Sequence, residues 1–174
     1  MSIHDFSIRL ERASDAAAIA QITATVFGPG MLTRAAYALR EDVEHDGRLS
    51  FVATAKGDET PVASVRLTTV RWGDKEALML GPLCVLPEVK NQGLGKALMQ
   101  QAVLEAQRLT EIGECPPLIM LVGDLPYYAP FGFKTIVPGK ITLPRPADPA
   151  RTLACELLPN VLETYSGFCE SMRA

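Results

Sequence analysis

Residues 6–12, FSIRLER, alternate apolar and polar side chains, the two-residue period of a strand with one buried face. The next segment changes period. In SDAAAIAQITATVFG, residues 14–28, Ile19, Ile22 and Val26 share one helical stripe, Ser14 stands at the N-cap and Gly28 supplies the stop. TRAAYALREDVE, residues 33–44, predicts a second helix. LSFVATA (49–55) and PVASVRLTTV (61–70) then return to strand composition on either side of the turn residues KGDET. RWGDKE joins the second of these to ALMLGPLCV (77–85), predicting a long hairpin. From Gly93 to about Leu109 the period is again helical: Leu94, Leu98, Ala102 and Ala106 recur every four residues, and Ala97 and Leu109 widen the stripe. PLIMLVG (117–123) is a continuous apolar run, the pattern of a strand covered on both faces.

Strand, helix, strand in that order implies a right-handed crossover and a parallel pair. The tail holds GKITL (139–143), the proline-rich LPRPADPA (143–150) and TLACELL (152–158), which predict a closing hairpin with a long connection. The prolines of 144–149 stand between two strand signals, so they read as an ordered loop and not a boundary. With no repeat, low-complexity stretch or linker, residues 1–174 are expected to form a single domain. Its fold class is α/β, with a mixed sheet made of an antiparallel meander with helices, one βαβ unit and further antiparallel strands.

Composition narrows the function classes. A chain of 174 residues can bury a sizeable core, and its 48% hydrophobic and 21% charged residues are those of an ordinary globule. A net charge of −3 and a pI near 5.4 argue against a nucleic-acid partner. No apolar stretch approaches the roughly 20 residues of a bilayer span. The segment MSIHDFSIRLERASD lacks a signal-peptide core, so a cytoplasmic protein without a membrane partner is expected. Cys84, Cys115, Cys155 and Cys169 show no CxxC spacing and read as reduced thiols. His4 and His45 lack partners at ligand spacing, so no metal site is expected. No serine sits in the GxSxG frame of a nucleophile elbow.

The segment LPEVKNQGLGKALMQQ, residues 86–101, carries the chemistry. It runs from an apolar strand through a turn rich in Asn and Gly straight into a helix. Where such a turn feeds a helix, several backbone N–H groups converge and the helix dipole adds positive potential, which suits an anion. Gly93 and Gly95 lack a β-carbon, Asn91 tolerates left-handed angles, and Lys90 and Lys96 flank the turn. The competing reading is a tight structural connection in which the glycines only permit close packing. Neither a P-loop nor a dinucleotide fingerprint is present, because Ala97 follows Gly95-Lys96 and the third glycine and downstream acid are missing.

The longer string LCVLPEVKNQGLGKAL resembles the acyl-CoA-binding motif of the GCN5-related N-acetyltransferase (GNAT) superfamily, with Pro87, Gln92, Gly93 and Gly95 at the family's positions. Lys90 departs from the more usual Gln or Arg, keeping charge but losing the planar fork. LVGDLPYYAPFGF (121–133) is similar to that superfamily's strand, tyrosine-bearing helix and closing Gly-Phe, in the branch with a G-D-x-x-Y-Y-x-x-F-G-F signature. The resemblance covers most of the chain at the level of fold, with specific motifs over residues 81–133.

The resemblance implies a mostly antiparallel sheet with a central splayed parallel strand pair and flanking helices, using acetyl-CoA as acyl donor. It implies that the backbone of Leu83, Cys84 and Val85 bonds the pantetheine arm, with the Val85 amide near the acetyl carbonyl oxygen. The N–H groups of Lys90, Asn91, Gln92, Gly93, Leu94, Gly95 and Lys96 would hold the diphosphate. It implies direct attack of an amine on the thioester, with Tyr128 as general acid and Tyr127 as packing. No general base is identified: Asp74 and Glu76 fall in the hairpin, and Asp124 reads as a helix cap. Cys84 reads as an inert buried thiol. Relatives build acceptor pockets from segments equivalent to 28–48, 71–76 and 144–151, which carry Arg34, Arg40, Arg71, Trp72 and Arg145 without a consistent charge pattern. The acceptor amine therefore stays open, and a homodimer is one arrangement the family uses. Two other readings stand beside the transferase: a non-catalytic acyl-CoA-binding module, and a structural domain with a tight turn.

Overall fold

The computed structural model describes residues 2–173. Strands β1 (Phe6–Leu10), β2 (Phe51–Ala55), β3 (Pro61–Trp72) and β4 (Lys75–Val85) form the antiparallel meander. Helix α1 (Ala16–Phe27) and the single turn α2 (Ala35–Ala38) lie between β1 and β2. After β4 come the long helix α3 (Leu94–Glu111), strand β5 (Leu118–Val122) and the short helix α4 (Leu125–Tyr128). The chain closes with β6 (Lys134–Thr135), β7 (Ile141–Thr142), β8 (Thr152–Glu156) and β9 (Gly167–Ser171). The strand order is β1-β2-β3-β4-β5-β8-β6, and β9 pairs with both β3 and β7. The mixed, mostly antiparallel sheet with one parallel central pair, β4 and β5, agrees with the fold class read from the sequence.

Alternation along the central strands explains why both faces are buried. Leu78 and Leu80 of β4 and Ile119 and Leu121 of β5 meet the apolar stripe of α3, including Leu94, Leu98, Met99, Ala102 and Ala106. Ala77, Met79, Leu118 and Met120 point the other way, into a second cluster with Leu39, Trp72, Tyr165 and Cys169. A strand pinned between two apolar layers has no polar face to show, which is the origin of the uninterrupted PLIMLVG run. All four cysteines are free thiols. Among the described residues no helix is long and apolar enough to cross a membrane, and no cluster of His, Cys, Asp and Glu is arranged to hold a metal ion. One polar knot crosses the meander: Glu11, after β1, receives Arg66 of β3 at 2.6 Å and faces His45 at 3.3 Å.

Three expectations are corrected. The helix read over 33–44 contracts to Ala35–Ala38, because Arg34 is extended at its start and Asp42 takes a positive φ of 58°. Ser14 lies in a 3-10 turn, and Asp15 occupies the N-cap position of α1, its carboxylate accepting from the Arg12 amide and the Arg9 guanidinium. The closing hairpin does not form: β7 pairs in parallel with β9, while β8 lies antiparallel between β5 and β6. GFCES buries only Cys169 fully, too faint a signal to announce the ninth strand.

Candidate active site

The site begins with a bulge. Between the pairs Val65–Leu83 and Leu67–Leu80, β4 carries one residue more than β3, at Gly81-Pro82. Gly81 has φ +134°, which only glycine adopts without strain, and proline inside a strand gives up a ladder bond. Beyond the bulge, the Leu86 amide donates to the Val62 carbonyl at 3.0 Å. Strand alternation then turns the Cys84 backbone toward Ser64 of β3 and the backbones of Leu83 and Val85 the opposite way. On that side β5 pairs with β4 only at Leu78–Ile119 and Met79–Met120; beyond these the two strands part, while β5 stays paired with β8 along its other edge. The result is a gap with Leu83 and Val85 presenting free backbone groups. Cys84 departs from its expected place in this set. Its backbone is spent on β3, and its thiol, 3.6 Å from the Thr23 hydroxyl, is pushed up by burial.

The turn ahead of α3 supplies the second wall. Residues Pro87–Val89 form a 3-10 turn, and the Lys90 amide, expected among the diphosphate donors, is spent instead on the Pro87 carbonyl at 3.3 Å. The first helical bond of α3 is Ala97 N–H to the Gly93 carbonyl at 3.0 Å. Between them, the backbone N–H groups of Asn91, Gln92, Gly93, Leu94, Gly95 and Lys96 have no partner among the described residues. Asn91 and Gly93 take positive φ, 62° and 86°, curling these donors into a concave nest at the positive end of an 18-residue helix. A Cβ on Gly93 would meet nothing within 4 Å, so its glycine serves the backbone angle and not close packing. At Gly95 the reason is different: a Cβ there would lie 2.5 Å from the Tyr127 hydroxyl. The exposed side chains of Lys90 and Lys96 stand at the rim, while Gln92 Oε1 is buried without a protein partner.

The third wall is α4. Asp124 takes the N-cap position, but its carboxylate pairs with Arg151 at 3.0 Å while its carbonyl receives the Tyr127 and Tyr128 amides. Tyr127 packs against Phe131 and edge-on to Tyr128, and Tyr128 in turn packs edge-on to Phe133. Gly123 is what lets an edge of the Tyr128 ring pack close against the end of β5. A Cβ there would come well under 3.0 Å from Tyr128 Cε2. Burial, helped by Tyr127 and Asp124, pushes the Tyr128 phenol up to about 12, so it stays protonated far above neutral pH.

These walls enclose one continuous cavity of about 1020 Å³. It runs from Lys90–Lys96, past Leu83, Val85, Tyr127 and Tyr128, to Phe27, Met31, Arg34, Arg40 and the loop of Pro146–Asp148. Segments 28–48 and 144–151 thus contribute to it, whereas 71–76 does not: Trp72 is fully buried against Tyr165 and Arg71 pairs with Glu170. Asp74 and Glu76 are likewise absent from its lining, and Glu76 uses its carbonyl to receive the Tyr165 hydroxyl. Sequence reasoning missed the bulge and Gly123. The Gly-Pro pair inside an apolar strand was the available signal for the first.

Comparison with known proteins places this geometry. The sequence profile described as the acetyltransferase (GNAT) family matches residues 17–133. An uncharacterized N-acetyltransferase, CT2212 of Chlorobaculum tepidum, is 30% identical over 114 residues, covering 64% of this chain and 68% of that protein. Among solved structures, a GNAT family N-acetyltransferase (YhbS) from Escherichia coli in complex with CoA superposes with a TM-score of 0.76 at 22% identity, over 96% of this chain and 89% of that one. A GNAT family acetyltransferase from Brucella melitensis in complex with acetyl-CoA superposes with a TM-score of 0.60 at 28% identity, over 90% of each chain.

Proposed function

The chain belongs to the acetyltransferase (GNAT) family, and from that premise we propose that it transfers an acetyl group from acetyl-CoA to a primary amine by direct attack, with Tyr128 as general acid. The observation that carries the reading is the row of unpartnered amides from Asn91 to Lys96 at the mouth of the cavity. Six N–H groups left without partners at the start of a long helix make a binding site for a diphosphate. The Brucella melitensis relative, which holds acetyl-CoA, supports the choice of donor.

Acetyl-CoA supplies the acyl group already activated as a thioester. The protein's work is positioning and charge stabilisation. From the nest inward along β4, the amide of Val85 is met first and that of Leu83 second. The donor facing the thioester carbonyl oxygen is therefore the farther one, Leu83, in place of the Val85 that the resemblance implied, and Val85 holds the pantetheine arm. An amide aimed at an oxygen that gains negative charge stabilises the transition state more than the ground state. As the amine nitrogen bonds to the acetyl carbon and the C–S bond breaks, the Tyr128 hydroxyl, with no hydrogen-bond partner among the described residues, donates its proton to the departing thiolate. The proton the amine sheds passes to water, and water restores the phenol. The acceptor enters from the end lined by Phe27, Met31 and Pro146.

A second reading, a non-catalytic acyl-CoA-binding module, is favoured by one observation. Both carboxylates lining the cavity are engaged: Asp124 by Arg151 and Asp148 by the Ala150 amide. Thiol release from acetyl-CoA across an amine panel separates the two. Release that depends on amine and is lost in Tyr128→Phe supports the transferase, and a thermal shift with acetyl-CoA but no release supports the module. Absence of any shift removes both, since a ligand that binds only the folded state must raise its stability.

A further inference from the structure

The end of the cavity opposite the nest carries positive charge that the protein does not neutralise. Arg40 lies there with its Nε donating to the Ala36 carbonyl at 2.8 Å, one turn back in the chain. Among the described residues its two Nη groups have no hydrogen-bond partner and it forms no ion pair with a carboxylate. The guanidinium sits over the bulge, where a Cβ on Gly81 would lie 3.7 Å from Nη1. Arg34, in the same lining, rests its guanidinium on the Phe27 ring at 5.1 Å and also has no carboxylate partner there. The cavity as a whole is lined by five basic side chains against two acidic ones, and the acids, Asp124 and Asp148, are both engaged. By contrast, Arg9, Arg12, Arg48, Arg66, Arg71, Arg108 and Arg173 all hold carboxylates.

A half-buried cation without an anion costs stability, and such a cost persists where a ligand removes it. Desolvation lowers the Arg40 guanidinium to about 10, which still leaves it charged at neutral pH. Its position also fits. Gly81 lies two residues beyond Leu83 on β4, about 7 Å of strand, on the side away from the nest. Resting on the transferase reading above, we propose that Arg40 is a specificity-determining residue and that the acceptor is an anionic amine, a primary amine with a carboxylate or phosphate a few bonds away. The guanidinium fork takes two oxygens of that group, and the amine is thereby directed toward the thioester. Arg34 adds its charge at the rim.

The test uses the full chain and matched acceptors: β-alanine against propylamine, and phosphoethanolamine against ethanolamine, with thiol release measured at saturating acetyl-CoA. The expected result is a kcat/KM higher for the anionic member of at least one pair by roughly 10- to 100-fold. Which pair shows it separates a carboxylate from a phosphate acceptor. In Arg40→Met that ratio falls toward one, and Arg40→Lys recovers part of it. A merely structural arginine would slow both members alike and leave the ratio unchanged. The Tm of Arg40→Met should stay level or rise, because an uncompensated cation is removed. Equal kcat/KM within both pairs overturns the proposal, as does a ratio unaffected by Arg40→Met, or acetyl-CoA binding with no turnover of any of the four amines. If acetyl-CoA gives no thermal shift and no thiol release, the underlying transferase reading fails, and the proposal with it.

Discussion

The most exacting prediction concerns Gly123→Ala, which leaves Tyr128 chemically intact and moves it. Gly123 is buried at the end of β5, its amide donating to the Arg151 carbonyl at 2.8 Å, so the backbone is held. A Cβ at this position would come well under 3.0 Å from Tyr128 Cε2, 3.1 Å from Cδ2 and 3.1 Å from Leu121 Cδ1. Carbon atoms prefer about 3.5–4.0 Å. The side chain that yields is the tyrosine, and it must shift by about 1 Å. Crowding of this kind costs about 1–3 kcal/mol of stability, a Tm decrease of roughly 2–12 °C for a chain of this size. A reacting group displaced by about 1 Å loses on the order of 100-fold in rate. Gly123→Ala should therefore lower kcat by up to about 100-fold while acetyl-CoA affinity, set at the distant nest, changes little. Tyr128→Phe should lower kcat by about 100- to 10,000-fold. The double variant should be no slower than Tyr128→Phe alone, since both changes remove the same proton donor. The assay is steady-state thiol release, with acetyl-CoA binding followed by calorimetry. Additive losses, or a Gly123→Ala protein with wild-type kcat, would refute the placement of Tyr128 as acid.

Other outcomes follow from the same structure. Gly93→Ala forces a β-carbon onto a φ of 86°, costing about 1–2 kcal/mol, and should weaken acetyl-CoA binding in calorimetry while the Tyr128 absorbance titration stays unchanged. That titration, read as phenolate absorbance, should show Tyr128 ionising near 12; the folded protein keeps this proton longer than the unfolded chain does, so the group's contribution to stability is constant below pH 10 and declines as pH rises toward 12. At the acid end, burial alone would raise the Glu11 carboxyl, but hydrogen bonds from His45 and Arg66 overcome it and draw it down to about 2. Glu11 therefore stabilises the fold above pH 4.5 and loses that contribution as pH falls from 4.5 toward 2, so Glu11→Gln should flatten denaturation midpoints across that window.

Much of this architecture was legible because its signals are periodic or buried on two sides. The stripe Leu94, Leu98, Ala102 and Ala106 and the run PLIMLVG both report burial directly, and each became the element expected. The nest was legible for a related reason: Asn91 and Gly93 hold backbone angles that few residues tolerate, and such constraints write themselves into residue choice. What escaped depends on partners distant in sequence. Whether Cys84 offers its backbone to the gap is decided by its register with Ser64. The role of Gly123 appears only once Tyr128 is folded back over it. The segment 33–44 has the composition of a helix, yet among its described residues Ala35 and Leu39 are the only deeply buried apolar anchors, so a single turn suffices. Trp72, placed among acceptor residues by the family resemblance, is consumed instead by packing on Tyr165.

The central claim is that the amides of Asn91 to Lys96 hold the diphosphate of acetyl-CoA. Amide proton shifts of the 15N-labelled protein, titrated in parallel with acetyl-CoA and with S-acetylpantetheine, test it most directly. The account predicts downfield movement of the Asn91–Lys96 amides with acetyl-CoA alone, and shifts at Leu83 and Val85 with both ligands. Perturbation of those six amides by S-acetylpantetheine to the same degree, or their silence toward acetyl-CoA, would contradict it.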